Sequence, residues 1–118
     1  MAKFDRALTP LFQALADDTR RAMLERLMEG PARVTDLAAP TGLALPTVLR
    51  HLGVLEDAGL IATEKSGRTR ICRAQPARLA PALDWLSRQR AAWEQRLDRL
   101  DTLLATLPEI EDDAEPRT

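Results

Sequence analysis

At 118 residues with a formal charge of −1, the chain has room for one modest core, and its single cysteine rules out an intrachain disulfide framework. Aromatic residues make up 3% of it and tyrosine is absent, while aliphatic, alanine and charged residues abound, which favours a mostly helical protein over a β-sandwich or barrel. The charge is unevenly spread: leaving out the acidic stretch 109–118 gives 16 basic and 13 acidic residues, a net of +3, so the rest of the chain is mildly basic.

Phe4, Leu8, Leu11, Phe12 and Leu15 recur at helical spacing and predict a first amphipathic helix with Pro10 near its start. The opening residues lack an apolar run of signal-peptide length, and no stretch reaches membrane-span length, so a cytoplasmic protein without a membrane partner is expected. Asp17 or Asp18 is placed to cap a second helix, with Met23, Leu24, Leu27 and Met28 as its buried stripe and Gly30-Pro31 as its stop.

The segment VTDLAAPTG reads as a short helix capped by Thr35, burying Leu37 and Ala38, with a turn at Gly42. Pro46 suits the first turn of the next helix, on which Val48, Leu52 and Leu55 share a face. Two helices joined by a short glycine-containing turn make a helix-turn-helix. After Gly59 the period changes. LIATEKSGRTRICRAQ predicts a two-stranded β-hairpin turning near Ser66-Gly67, and its tip and return strand carry Lys65, Arg68, Arg70 and Arg73 with no acid among them.

From Leu79 onward, Leu83, Leu86, Arg90, Trp93, Leu97, Leu100, Leu104 and Leu107 alternate in steps of four and three, a heptad seam that invites a partner helix from a second copy. The single polar member, Arg90, can fix register, pair with an acid or extend to water. The expected organisation is a domain over residues 1–108 and an acidic, disordered tail over 109–118.

With these elements in order, the chain resembles the ArsR (ArsR/SmtB) family of dimeric winged-helix transcriptional regulators over roughly residues 8–107. The resemblance is carried by LADDTRRAMLERL, VTDLAAPTGLALPTVLRHLGVLEDAGLI, EKSGRTRICRA and WEQRLDRLDTLL. It implies a mostly α, winged helix-turn-helix fold with a long C-terminal dimerisation helix. It further implies a cytoplasmic homodimer binding double-stranded DNA at an inverted-repeat operator, acting as a repressor. Under it, Thr47, Leu49, Arg50, His51, Lys65, Arg68 and Arg70 are DNA-binding candidates, and Leu8, Phe12, Leu86, Arg90, Trp93, Leu97, Leu100 and Leu104 are dimerisation candidates.

Three positions depart from the family pattern. Ala44 and Leu49 occupy places where related recognition helices commonly carry serine, and Gly53 stands where a basic residue is common. A capping hydroxyl and a phosphate contact are lost; the helix then binds DNA more weakly or sets Leu49 against a thymine methyl. These features motivate an alternative: a winged-helix protein-interaction or dimerisation module with lost or weak DNA binding.

No metal or other cofactor is expected. The arsenic-binding thiolates of the family would fall around Arg33, Thr35 and Ala38, and residues 77–107 hold neither His nor Cys. The inducing signal is therefore read as a non-metal one, with Cys72 a redox candidate that has no resolving cysteine in the chain. Without a glycine-rich phosphate loop or a Ser-His-Asp or Cys-His constellation, the sequence does not read as an enzyme.

Overall fold

In the computed structural model, which describes residues 6–108, helix α1 spans Leu8–Leu15 and turns Leu11 and Ala14 inward. Helix α2 (Asp18–Met28) follows after a single break. Its cap is Asp17, held extended at φ −145°, whose Oδ1 accepts the Arg20 backbone N–H at 3.0 Å. That hydrogen bond to the charged form is the main reason the Asp17 carboxyl sits below its ordinary pKa. Met23, Leu24 and Leu27 are buried as expected, but Met28 is 44% exposed. At about 100° per residue, Met28 lies roughly 40° beyond Leu24 and 100° from Leu27, at the edge of the buried stripe.

A strand of two residues, β1 (Ala32–Arg33), precedes α3 (Val34–Ala38). Thr35 does not cap this helix. Arg33 holds the cap position without a side-chain cap bond, because the strand runs straight into the helix and Val34 already enters the core. Leu37 is buried while Ala38 is half-buried. A 3-10 turn (Ala39–Thr41) ends at Gly42, whose φ of +68° is the left-handed conformation the turn requires. Thr41 braces it, its hydroxyl donating to Ala38 O at 2.7 Å and accepting from Leu43 N at 3.0 Å.

Helix α4 (Leu45–Asp57) buries Val48, Leu52 and Leu55. Then β2 (Ile61–Ser66) and β3 (Thr69–Ala74) form the hairpin, with Ser66 opposite Thr69 and a two-residue Gly67-Arg68 loop. Gly67, at φ +65°, supplies the positive φ that such a loop demands at its first position. The expected two-stranded wing is part of a three-stranded antiparallel sheet, ordered β1-β3-β2, because Ala32 pairs with Cys72 and Arg33 with Ile71. The core of this unit joins Leu11, Met23, Leu24, Leu27, Leu37, Val48, Leu52, Leu55, Leu60, Ile61 and Cys72, with Ala82 added after a second 3-10 turn (Pro76–Leu79).

Helix α5 (Ala80–Thr106) contains the boundary between two compact units, one reaching to Asp84 and one starting at Trp85. In the second unit no described residue is buried: Leu86, Trp93, Leu97, Leu100, Leu104 and Leu107 are between 48% and 60% exposed. Arg90, the polar member of the seam, pairs within the helix with Glu94 at 3.9 Å, and Arg96 stacks over the Trp93 ring, 5.4 Å from its centroid. The expected acidic tail, and Phe4 of the first helical stripe, lie outside the described residues.

Candidate nucleic-acid interface

The buried stripe of α4 determines what its other side offers. With Val48, Leu52 and Leu55 in the core, Pro46, Arg50 and Gly53 point away from it. Thr47 and His51 lie on one flank, Leu45, Leu49 and Glu56 on the other. Arg50 is exposed and has no ion-pair partner among the described residues; Thr47 is half-buried.

His51 is fastened rather than free. Arg20 of α2 brings Nη1 to 3.1 Å from His51 Nδ1, while its Nε donates to Ala14 O at 2.7 Å and its Nη2 to Gln13 O at 2.9 Å. A guanidinium has no acceptor, so this bond requires Nδ1 to accept, which puts the ring proton on Nε2. One arginine thus supplies a donor to the Ala14 carbonyl, adds a second donor to Gln13 O, which already accepts the Ala16 backbone N–H at 3.2 Å, and ties the end of α1 to α4. No periodicity in the sequence singles out Arg20; a cation just after an Asp cap, able to fold back over the preceding helix, is the signal that points to it.

On the wing, the register sets Lys65 directly opposite Arg70, and Thr63 opposite Cys72. Opposite residues of an antiparallel pair share a face, and that face buries Ile61 and Cys72 at its base. Lys65 and Arg70 therefore continue the face that packs on α4, out past the end of the core. Neither has an acidic partner among the described residues, and Arg68 stands exposed at the tip. Like charges set opposite each other on a strand pair destabilise it by roughly 0.2–1 kcal/mol unless something anionic lies between them.

Helix and wing are linked by Thr63 Oγ1, which donates to Glu56 Oε2 at 3.1 Å. Between them runs an open groove of about 710 Å³, with Leu45, Leu49, Leu52, Gly53 and the Glu56 carboxylate along its α4 side, Thr63, Arg68, Thr69 and Arg70 along the wing, and Arg33, Val34 and Thr35 at its end. Arg33 is held by Asp36 at 3.2 Å, an ion pair that lowers the Asp36 pKa and raises that of Arg33. Ala44, at the cap position of α4, makes no side-chain cap bond.

Cys72 is fully buried, and desolvation raises its thiol pKa. Both features work against reaction with an oxidant from solvent. Among the described residues, no three His, Cys, Asp or Glu side chains come together as a metal site, and no helix is long and apolar enough to cross a membrane. Of the dimerisation candidates, Leu8 is half-buried against the core of its own unit, and Phe12 is 37% exposed.

The family described as bacterial regulatory protein, arsR family, matches residues 17–63, from the Asp17 cap through the first half of β2. The arsenical resistance operon repressor of Escherichia coli is 30% identical over 101 residues, covering 82% of this chain and 81% of that protein. The chain belongs to the ArsR family. The HTH-type transcriptional regulator Rv2034 of Mycobacterium tuberculosis is 44% identical over 69 residues, 58% of this chain; the match spans 64% of Rv2034, under two thirds of its length. The crystal structure of another ArsR family transcriptional regulator, RHA00566, superposes with a TM-score of 0.74 at 46% identity, covering 80% of this chain and 97% of that one. The arsR-family match includes the whole helix-turn-helix but ends at Thr63, before the wing's cations. Lys65, Arg68 and Arg70 must therefore be judged on their geometry.

Proposed function

We propose that this chain is a homodimeric, sequence-specific DNA-binding transcriptional repressor of the cytoplasm, released from an inverted-repeat operator by a signal other than a metal. The observation that carries the reading is the Lys65–Arg70 pair. Two cations facing each other without an acid, on the side of the wing that adjoins α4, form a site that an anion completes. Phosphates of a duplex whose major groove receives α4 supply that anion, with Arg50 directed at the groove floor. His51 Nε2–H and the Thr47 hydroxyl are assigned to the flanking backbone. Rv2034 and the Escherichia coli protein are named a transcriptional regulator and a repressor, which supports assigning the same role here.

From Leu86 to its end at Thr106, α5 carries six large, exposed apolar side chains, Leu86, Trp93, Leu97, Leu100, Leu103 and Leu104, and no buried residue; such a face lowers its free energy by pairing, so this stretch is assigned to the dimer. Two copies then present two α4 helices to successive major grooves, about 34 Å apart. An effector that changes that separation releases the operator.

One observation favours a second reading, a protein-interaction module: Leu43, Leu45 and Leu49 leave the start of α4 apolar where phosphate contacts would call for polar groups. Reversing the wing charges, Arg68→Glu with Arg70→Glu, discriminates. The DNA reading expects saturable duplex binding by the parent and at least a hundredfold loss in the variant; equal saturable affinity in both would remove the wing cations from the DNA contacts, and no duplex binding by either protein favours the interaction module.

A further inference from the structure

We infer that Leu49, backed by Leu45, reads the 5-methyl group of a thymine, so that operator choice in this chain rests in part on an apolar base contact made in the groove between α4 and the wing. The inference builds on the DNA-binding reading above and says what kind of base that surface recognises.

Leu43, Leu45 and Leu49 are 39%, 47% and 44% exposed, three uncovered leucines within seven residues. Leu45 and Leu49 lie one turn apart on the same flank of α4 and form an apolar wall along the groove. A surface that met only phosphates and base heteroatoms would carry hydroxyls and cations, and leucines there would lose water without gaining a partner. Among the major-groove edges of the four base pairs, the thymine methyl is the apolar feature.

The rest of the groove fits the same occupant. Gly53 continues the wall, and a Cβ placed on it would meet no atom within 4 Å, so a base edge can come close to the helix. The opposite wall is cationic, with Arg68 and Arg70 unpaired by any acid among the described residues. The one carboxylate among the described residues of the groove, Glu56, accepts from Thr63 and pairs with neither arginine, so a hydrophobic protein helix would fill the apolar wall and leave those guanidinium groups without counter-charge. A DNA strand satisfies both, setting a methyl on Leu49 and its backbone phosphates against the arginines.

The test begins by selecting a duplex from a random library with the full-length chain, then replacing each thymine singly by deoxyuridine. The replacement removes the methyl and leaves base pairing and the O4 acceptor in place. At one thymine in each half-site, affinity should fall about fourfold, the effect of taking one methyl out of apolar contact. Leu49→Ala should bind the thymine duplex more weakly by a similar factor and no longer distinguish thymine from deoxyuridine, and Leu49→Ser should be equally indifferent. Because Leu49 is 44% exposed, both variants should keep the parent's circular dichroism.

Three results would overturn the inference while leaving DNA binding intact: a selected half-site without thymine, tolerance of deoxyuridine at every position, or an unchanged thymine-to-deoxyuridine ratio in Leu49→Ala. Failure to select any duplex removes the DNA-binding reading itself, and this inference with it.

Discussion

Arg20 Nη1 and His51 Nδ1 meet at 3.1 Å, so the same guanidinium that closes the end of α1 also holds the helix proposed to enter DNA. The three bonds join elements separated by up to 31 positions in sequence. Arg20→Ala leaves the Ala14 carbonyl and a half-buried imidazole without the Arg20 donor, while Gln13 O keeps the Ala16 N–H, and should lower stability by about 2 kcal/mol, with His51→Ala costing about 1. Urea unfolding of both single variants and the double variant measures the coupling, expected at about 0.5–1 kcal/mol; strict additivity would mean the contact carries no energy.

Two positions on α4 leave stability unused. Gly53 sits within the helix with open space where its Cβ would be, so Gly53→Ala should raise stability by about 0.5–1 kcal/mol through the unfolded chain's lost freedom. Ala44→Ser should add about 1 kcal/mol by capping the α4 backbone N–H groups. Chemical denaturation of each variant checks both values, and a loss of stability in either would show a steric or backbone constraint at that position.

The Asp17 cap makes part of the stability pH-dependent. Its carboxyl pKa is lower in the folded chain than in the unfolded one, because the charged form accepts the Arg20 backbone N–H. The unfolded chain therefore binds the proton first, and the cap's contribution is fully present above the unfolded value near 3.9 and disappears as pH falls through the folded one. Thermal melts of the parent and Asp17→Ala should differ by a constant amount from neutral pH down to about 4, and converge below it. A difference that persists unchanged at pH 2 would assign the cap's effect to something other than its charge.

In the second unit, Leu97→Glu with Leu100→Glu puts charge into the middle of the exposed seam. If that seam is the dimer contact, burying each of these leucines is worth about 1.5–3 kcal/mol, and the double variant should sediment as a monomer. A dimer of unchanged stability would take α5 out of the interface.

What could be read from the sequence were features whose period or chemistry is local. The buried stripe Val48-Leu52-Leu55, a hairpin turn near Ser66-Gly67 and the heptad steps of α5 each stand within one segment, and the two helices and the hairpin are present in the structure, the hairpin with its loop one residue on at Gly67-Arg68. What escaped depends on distant partners. β1 is two residues long, too short to show a period, and exists because β3 lies alongside it about forty positions later. Thr35 has the chemistry of a cap, yet the strand entering α3 at Arg33 moves the helix start past it. The exposure of Met28 follows from which arc of α2 faces the core, a choice that four similar apolar residues leave open. At the site, the wing cations were legible as a charge run, whereas their pairing across the hairpin and the leucine wall facing them required the register and the groove.

The most direct test of the account is duplex binding by the full-length chain measured against salt. Saturable binding of one dimer per selected duplex, with log affinity falling linearly against log salt at a slope of about −5 or steeper, is the result expected if each subunit places Lys65, Arg68 and Arg70 on phosphates. No saturable binding at low salt, or an affinity indifferent to salt, would contradict it.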